Sequence, residues 1–197
     1  MKTIILEGTD RVGKSTLITG ISEYHNYDNI IVRHCGKPPK HINKEDVYQW
    51  QMRCFIKEAV LADILKNMEI GEHRYYENVV IYNRYYLGEY VYGIMFREYR
   101  EEFIEHRLSE FESQHIDLDN TKLITLVADP EFLMSKEDGN SFSQTLEQKT
   151  KEVELFKIIH NKSLIKNKLL LKVDNDGEFL PKEQLLNTVL DFINGKK

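Results

Sequence analysis

At 197 residues, 41% hydrophobic and 30% charged, the chain is long enough for one packed domain and ordinary for a globular protein. Its formal net charge of -5 argues against a duplex nucleic-acid binder, which needs an excess of basic groups. Cys35 and Cys54 form neither a CxxC nor a zinc spacing, and no apolar stretch is long enough for a leader or a membrane span. Together these features predict a cytoplasmic protein of one domain, residues 1–197, with no membrane partner.

Lys2 to Leu6 (KTIIL) reads as a buried strand. Gly8-Thr9-Asp10-Arg11-Val12-Gly13-Lys14-Ser15 follows with the G-x-x-x-x-G-K-S pattern, and Thr16-Leu17-Ile18 opens an amphipathic helix. Asn29 to Arg33 reads as strand two, stopped by Gly36-Lys37-Pro38-Pro39. A helical stripe runs from Glu45 to Met68 and ends at Gly71. Val79 to Tyr82 is strand three, followed by a long helical region with Phe96, Tyr99, Phe103, Ile104, Leu108 and Phe111 on one face. Strand four is Leu123 to Val127, before Asp129-Pro130. Residues 132–164 are helical at both ends and interrupted near Asp138-Gly139-Asn140. Leu169 to Val173 is strand five, and Glu183 to Ile193 is a closing helix. Five apolar strands alternating with helices predict an α/β fold, a five-stranded parallel sheet covered on both faces. Ligands then bind at the carboxyl ends of the strands, which carry the glycine loop, the Cys35–Lys40 turn, Asn83-Arg84, Asp129-Pro130 and Asp174.

Strand, glycine loop and helix together make a phosphate site. Glycines let backbone N–H groups turn inward around phosphate oxygens, and the helix start adds unpaired donors and a partial positive charge. Gly8, Thr9, Val12, Gly13 and Thr16 shape that cradle for ATP, Lys14 reaches the β- and γ-phosphates, and the Ser15 hydroxyl holds Mg²⁺. Arg84 places a rigid, permanently charged fork at the same sheet edge. On a helix starting near Arg84, Gly88 and Tyr92 share its face, one leaving room for a planar base and the other forming an aromatic wall. Arg53 and Phe55, on the preceding helix, are further candidates for base or phosphate contact.

The stretch Leu6 to Thr16 (LEGTDRVGKST) resembles the L-E-G-x-D-R-x-G-K-S-T loop of thymidylate kinases, and Asn83 to Tyr92 resembles their D-R-[YH]-x-x-S-x-x-A-Y-Q signature. Val173-Asp174-Asn175 is similar to the family's adenine-side I-D-A loop. The resemblance runs in order from the first strand to the last helix and implies a P-loop kinase fold with a short lid. It implies ATP- and Mg²⁺-dependent phosphoryl transfer to a (deoxy)nucleoside monophosphate, dTMP first. By the same resemblance, Asp10 holds the acceptor's sugar hydroxyl, Arg11 neutralises the transferred phosphoryl group, and Arg84 binds the monophosphate. Gly88 and Tyr92 then meet the base, and Asp174 and Asn175 lie beside adenine. A phosphate-loop arginine of this kind goes with an arginine-poor lid, and Ser135 to Ser143 contains none.

The sequence departs from the family's pattern at named places. Asn83 replaces an aspartate, so it reaches a metal only through water; Gly88 replaces a serine, and Gly93 stands where the family carries a base-reading glutamine. The turn after strand two lacks the usual arginine, a charge that Lys37 or Arg33 can supply. A deoxynucleoside kinase is the alternative; it needs a general base, for which His34 and Glu89 are available. More remote are a kinase acting on DNA and a GTPase, the latter lacking D-x-x-G at the right spacing and N-K-x-D. Trp50, Tyr90, Phe96, Tyr99 and Phe103 exceed what one sheet face needs and point to a homodimer, in which thymidylate kinases also pair through these helices.

Overall fold

The computed structural model describes residues 2–25, 30–35, 38–39, 41–43, 45–67 and 79–195. Five strands, β1 (Lys2–Gly8), β2 (Ile30–His34), β3 (Val79–Asn83), β4 (Thr121–Val127) and β5 (Asn167–Lys172), pair in parallel in the order β2-β3-β1-β4-β5. β1 is central, and its Ile4, Ile5 and Leu6 are buried from both sides. This is the arrangement that near-continuous apolar runs dictate.

Among the described residues, seven helices connect and close the sheet: α1 (Lys14–Tyr24), α2 (Val47–Asn67), α3 (Leu87–Arg97), α4 (Glu101–His115), α5 (Pro130–Ser135), α6 (Leu146–Lys162) and α7 (Lys182–Asn194). Right-handed crossovers decide their faces. The step from β1 to β2 runs one way along the sheet, and the steps from β2 to β3, β3 to β4 and β4 to β5 run the other. That places α1 on one face and α2, α3, α4 and α6 on the opposite one. Packing agrees, with α1 against α7, and α3 against α4 and α6. No described helix is long and apolar enough to cross a membrane.

The long helical region expected after strand three is two helices. Glu98 takes a left-handed backbone at φ 61°, and Tyr99 then turns back to donate its N–H to the Gly93 carbonyl at 3.2 Å. The Tyr99 ring lies so close that a Cβ on Gly93 would sit 2.4 Å from it. α3 therefore ends at Arg97, with Tyr99 folded back on Gly93, and a base-reading side chain at position 93 has no room. A hairpin, β6 (Asp174–Asn175) with β7 (Glu178–Phe179), adds to the expected elements; Asp176 and Gly177 turn it with φ of 50° and 79°. Strand five starts two residues earlier than expected, at Asn167. Asn29 and Gly71, expected to bound strand two and the second helix, lie outside the described residues, as does Lys37.

Candidate active site

The glycine loop connects β1 to α1 at the carboxyl edge of the sheet, between β3 and β4. Gly8 has φ 133°, and a Cβ there would meet the Leu126 carbonyl oxygen of the neighbouring strand at 2.2 Å, so only glycine fits. Gly13, at φ 83°, precedes α1, whose N-terminus has no side-chain cap. Its uncapped N–H groups are left for an anion. Arg11 and Arg84 also hold left-handed backbone, at φ 70° and 63°. Such a conformation costs a residue with a side chain about 1–3 kcal/mol, and it persists here in the two arginines aimed at one cleft.

Lys14 is buried, and its Nζ donates to the Gly8 carbonyl at 2.9 Å and to the Thr9 carbonyl. Burial, reinforced by the nearby Arg84 charge, pushes its ammonium down to about 7 against the pull of Asp10 and Glu7. Polyphosphate oxygens would reverse that shift by supplying negative charge where the carbonyls now stand in. Arg84 follows β3 and is stitched to β1: its N–H donates to the Leu6 carbonyl at 3.0 Å, and the next amide, Tyr85, donates to Glu7 at 2.8 Å. From there its guanidinium pairs with Asp10 and lies over the Tyr92 ring, 5.4 Å from the centroid. Arg11 reaches the other way and pairs with Asp138 in the segment between α5 and α6.

An open cleft forms where these groups meet. Asp10, Arg11, Gly13, Lys14, Ser15, Thr16, Asn83 and Arg84 line it together, so most of the residues expected to handle phosphate converge. Asp10 is the only carboxylate among its described lining residues, and Arg84 already occupies it. Asn83 Oδ1 is buried in that lining with no hydrogen-bond partner. An orphaned amide oxygen beside an exposed serine hydroxyl fits the hydration shell of Mg²⁺, which keeps several waters.

A second pocket opens on the β3 side and shares Arg84 with the cleft. Phe55, Gly88 and Tyr92 line it, and a Cβ on Gly88 would lie 3.6 Å from Glu7 and 3.7 Å from the Tyr92 ring. The Tyr92 hydroxyl donates to buried Glu152 of α6 at 2.9 Å, and Phe142 leans on the Tyr92 ring at 4.9 Å between centroids. Gln51, Glu89 and Arg97 also line the pocket, with Glu89 and Arg97 ion-paired at 2.6 Å. Of these, the sequence points only to Glu89, as a candidate base. One turn of α2 separates Gln51 from Phe55, a spacing that would have found it.

Arg53, Asp174 and Asn175 stand outside the lining of these two spaces. Arg53 stands between Gln51 and Phe55 on α2, and helical phase turns it out to solvent, away from both clefts. Asp174 and Asn175 line neither space: Asp174 is buried and accepts the Asp129 N–H at 3.1 Å, while Asn175 donates to Asp176 at 2.8 Å. The Asp174 side chain ties the hairpin to the chain after β4, and Asn175 bonds within the hairpin turn. Val12 and Phe179 instead line an apolar cavity of about 270 Å³ that continues from the phosphate cleft. The segment Ser135 to Ser143 is also less free than its polarity suggested. Ser141 and Ser143 are buried, Phe142 packs on Tyr92 and Phe96, and Glu137 pairs with Lys149 at 2.5 Å. Of the aromatics expected at a subunit contact, Tyr90 is wholly buried within the chain and bonds Glu101 at 2.6 Å, while Phe96 and Phe103 are exposed.

No protein-family model matches the chain, and no curated protein matches it in sequence. Solved structures do match it. The YorR protein of Bacillus subtilis, in complex with phosphorylated GDP, aligns with a TM-score of 0.53 and 20% identity over 98% of this chain and 95% of its own. A deoxyadenosine kinase from M. mycoides with the products dCMP and dCDP bound aligns with a TM-score of 0.57 and 15% identity, over 98% and 99%. A structure of deoxyadenosine kinase from the same source with dATP bound gives 0.57 and 16%, over 98% and 100%. At these identities the likeness is one of architecture. The chain has the α/β fold of these proteins, here a parallel five-stranded sheet with the glycine loop at the end of its central strand.

Proposed function

We propose that this chain is a phosphotransferase that moves the terminal phosphoryl group of ATP to a (deoxy)nucleoside monophosphate, with dTMP the first acceptor to test. The observation that carries the reading is the cleft itself: Lys14, Arg11 and Arg84 converge on it, and Asp10, the one carboxylate among its described lining residues, is engaged by Arg84. A monophosphate brings its own anionic nucleophile, so the site needs position and positive charge and no general base. Arg84 binds the acceptor phosphate, Lys14 the donor phosphates, and Arg11, released from Asp138, stabilises charge on the transferred group. Ser15, and Asn83 through water, would hold Mg²⁺, which supplies neutralisation of the donor's phosphate oxygens. Phe55, Gly88 and Tyr92 receive the base, and closure of the segment at residues 135–143 excludes water.

A second reading, a deoxynucleoside kinase, rests on Glu89. It lines the acceptor pocket, and burial pushes its carboxyl up to about 7 against the pull of Arg97, suiting it to accept a proton at neutral pH. The deoxyadenosine kinase fold likeness accords with either acceptor. A coupled assay of ADP release across nucleosides and monophosphates separates the two: turnover of nucleosides alone would establish the second.

The homodimer belongs to the same proposal. Ile56, Val60 and Ile64 are exposed at four-residue spacing along α2, a stripe that a second copy would cover. Sedimentation at micromolar concentration should give twice the 23.3 kDa chain mass, and a value near one chain mass would exclude the pairing.

A further inference from the structure

The segment between α5 and α6 contains a stiff turn whose adjacent residues line different spaces. Glu137 organises it: its carboxylate accepts the Gly139 N–H at 2.9 Å, the Asp138 N–H at 3.2 Å and the Ser141 N–H at 3.4 Å. The Gln144 side-chain amide adds a bond to the Gly139 carbonyl at 3.1 Å. Lys149 of α6, whose side chain has no exposed surface, meets the Glu137 carboxylate at 2.5 Å. The hydrogen bond from Lys149 holds the Glu137 carboxyl down at about 2, so the brace is ionised at neutral pH. Separating the two would leave a buried ammonium unpaired, which makes the brace costly to open.

The turn serves two spaces. Asn140 and Ser141 line the phosphate cleft, whereas Phe142 lines the acceptor pocket. The Phe142 ring packs on Tyr92 and Phe96, and its N–H reaches the Asp10 carboxylate at 3.5 Å. The other Asp10 oxygen takes Arg84. Asp138, on the outside of the turn, is the exposed partner of Arg11. The turn is therefore stiff within itself and weakly tethered to the phosphate loop. Donor phosphates that take Arg11 remove that tether, and a base against Phe142 supplies another hold.

We propose that residues 137–142 move as one body that couples the two substrates, with Glu137 and Lys149 as positioning residues and Phe142 as the contact on the acceptor. The inference rests on the phosphotransferase reading and adds a thermodynamic link between its two pockets. An acceptor base against Phe142 keeps Asn140 and Ser141 at the phosphate cleft. Donor phosphates in the cleft in turn keep Phe142 on the base. Each ligand favours the same placement of the turn, so each tightens the other by the same factor. Without the brace, the two contacts belong to residues that move independently, and the link is lost.

The test is calorimetric titration of β,γ-imido-ATP with Mg²⁺ into the full chain, alone and at saturating dTMP, repeated with thymidine as the acceptor of the second reading. The acceptor should tighten the analogue about tenfold, and the reverse titration should give the same factor. Lys149→Met and Glu137→Ala break the brace from its two sides. Each should leave the affinity for either ligand alone unchanged and lose the factor. Phe142→Ala should weaken the acceptor alone and lose the factor as well. The readout is a ratio of two affinities within one variant, which a change in overall stability does not move. An analogue bound equally with and without acceptor by the parent chain would overturn the inference, as would the full factor in both brace variants. Failure of the parent chain to bind the analogue, or to bind either acceptor, would instead overturn the phosphotransferase reading on which the inference stands.

Discussion

Asp10, in the phosphate loop, and Arg84, in the turn after β3, are joined as an ion pair across the mouth of the cleft. Neither residue is free to form it by accident. Arg84 is fixed by its left-handed backbone and its N–H bond to Leu6, and Asp10 by the tight loop between two glycines. On the proposed reading, the pair would hold the acceptor's phosphate-binding fork in place before any ligand arrives, which lowers the cost of ordering a long side chain on binding.

Arg84→Ala should therefore raise the acceptor KM, by roughly tenfold to a hundredfold, since hydrogen bonds to charged groups are worth about 1.5–3 kcal/mol. Steady-state kinetics with the acceptor varied at saturating ATP read this directly. An unchanged acceptor KM would remove Arg84 as the phosphate clamp.

Arg11 is expected to behave differently. It is parked on Asp138, and the two side chains are well exposed, so the pair is weak and a phosphoryl group can displace it. Arg11→Ala should lower kcat by about a thousandfold, the smaller end of what a transition-state arginine supplies, with little change in either KM. The segment it touches should close with it. Amides at 138–140 should gain hydrogen-exchange protection in the presence of a bisubstrate analogue, more than Phe142, which the Tyr92 and Phe96 rings already anchor. Equal protection in both states would make the segment a fixed connection.

Glu89 predicts a pH dependence of stability. Its folded carboxyl titrates near 7, raised from 4.5 chiefly by burial, with Arg97 pulling it back. Between those values the folded state binds more protons than the unfolded state, so this group's contribution is fully present below 4.5 and is lost as pH rises through 7. Its size is about 3 kcal/mol at most. Glu89→Gln removes the slope, so its stability relative to the parent chain should increase from about pH 5 to about pH 8. Chemical denaturation at several pH values checks it, and a constant offset, as expected from losing the Arg97 pair alone, would contradict the prediction.

The sequence shows the frame of this site more clearly than its walls. Strand, glycine loop and helix are encoded locally, within one short run from Lys2 to Ile18, and the structure builds them there. Asn83 and Arg84 are legible because they end an apolar strand. Gln51, Arg97, Phe142 and Glu152 are not legible as a group, since α2, α3, the segment before α6 and α6 bring them together only through tertiary packing. The break at Glu98 is hidden because a left-handed backbone at a glutamate has no local signal, and Tyr99 supplies its reason from outside α3. The Asp176-Gly177 pair does announce a hairpin, but two-residue strands leave no alternation around it.

The most direct test of the central claim is an assay of ADP formation with ATP and Mg²⁺ against dTMP, the other nucleoside monophosphates and the nucleosides, run beside Lys14→Ala. Turnover should depend on a monophosphate, and Lys14→Ala should lose at least about a hundredfold of it, the cost of removing one transition-state charge contact of about 3 kcal/mol. ADP formation with nucleosides and with no monophosphate, or full activity in Lys14→Ala, would contradict the account.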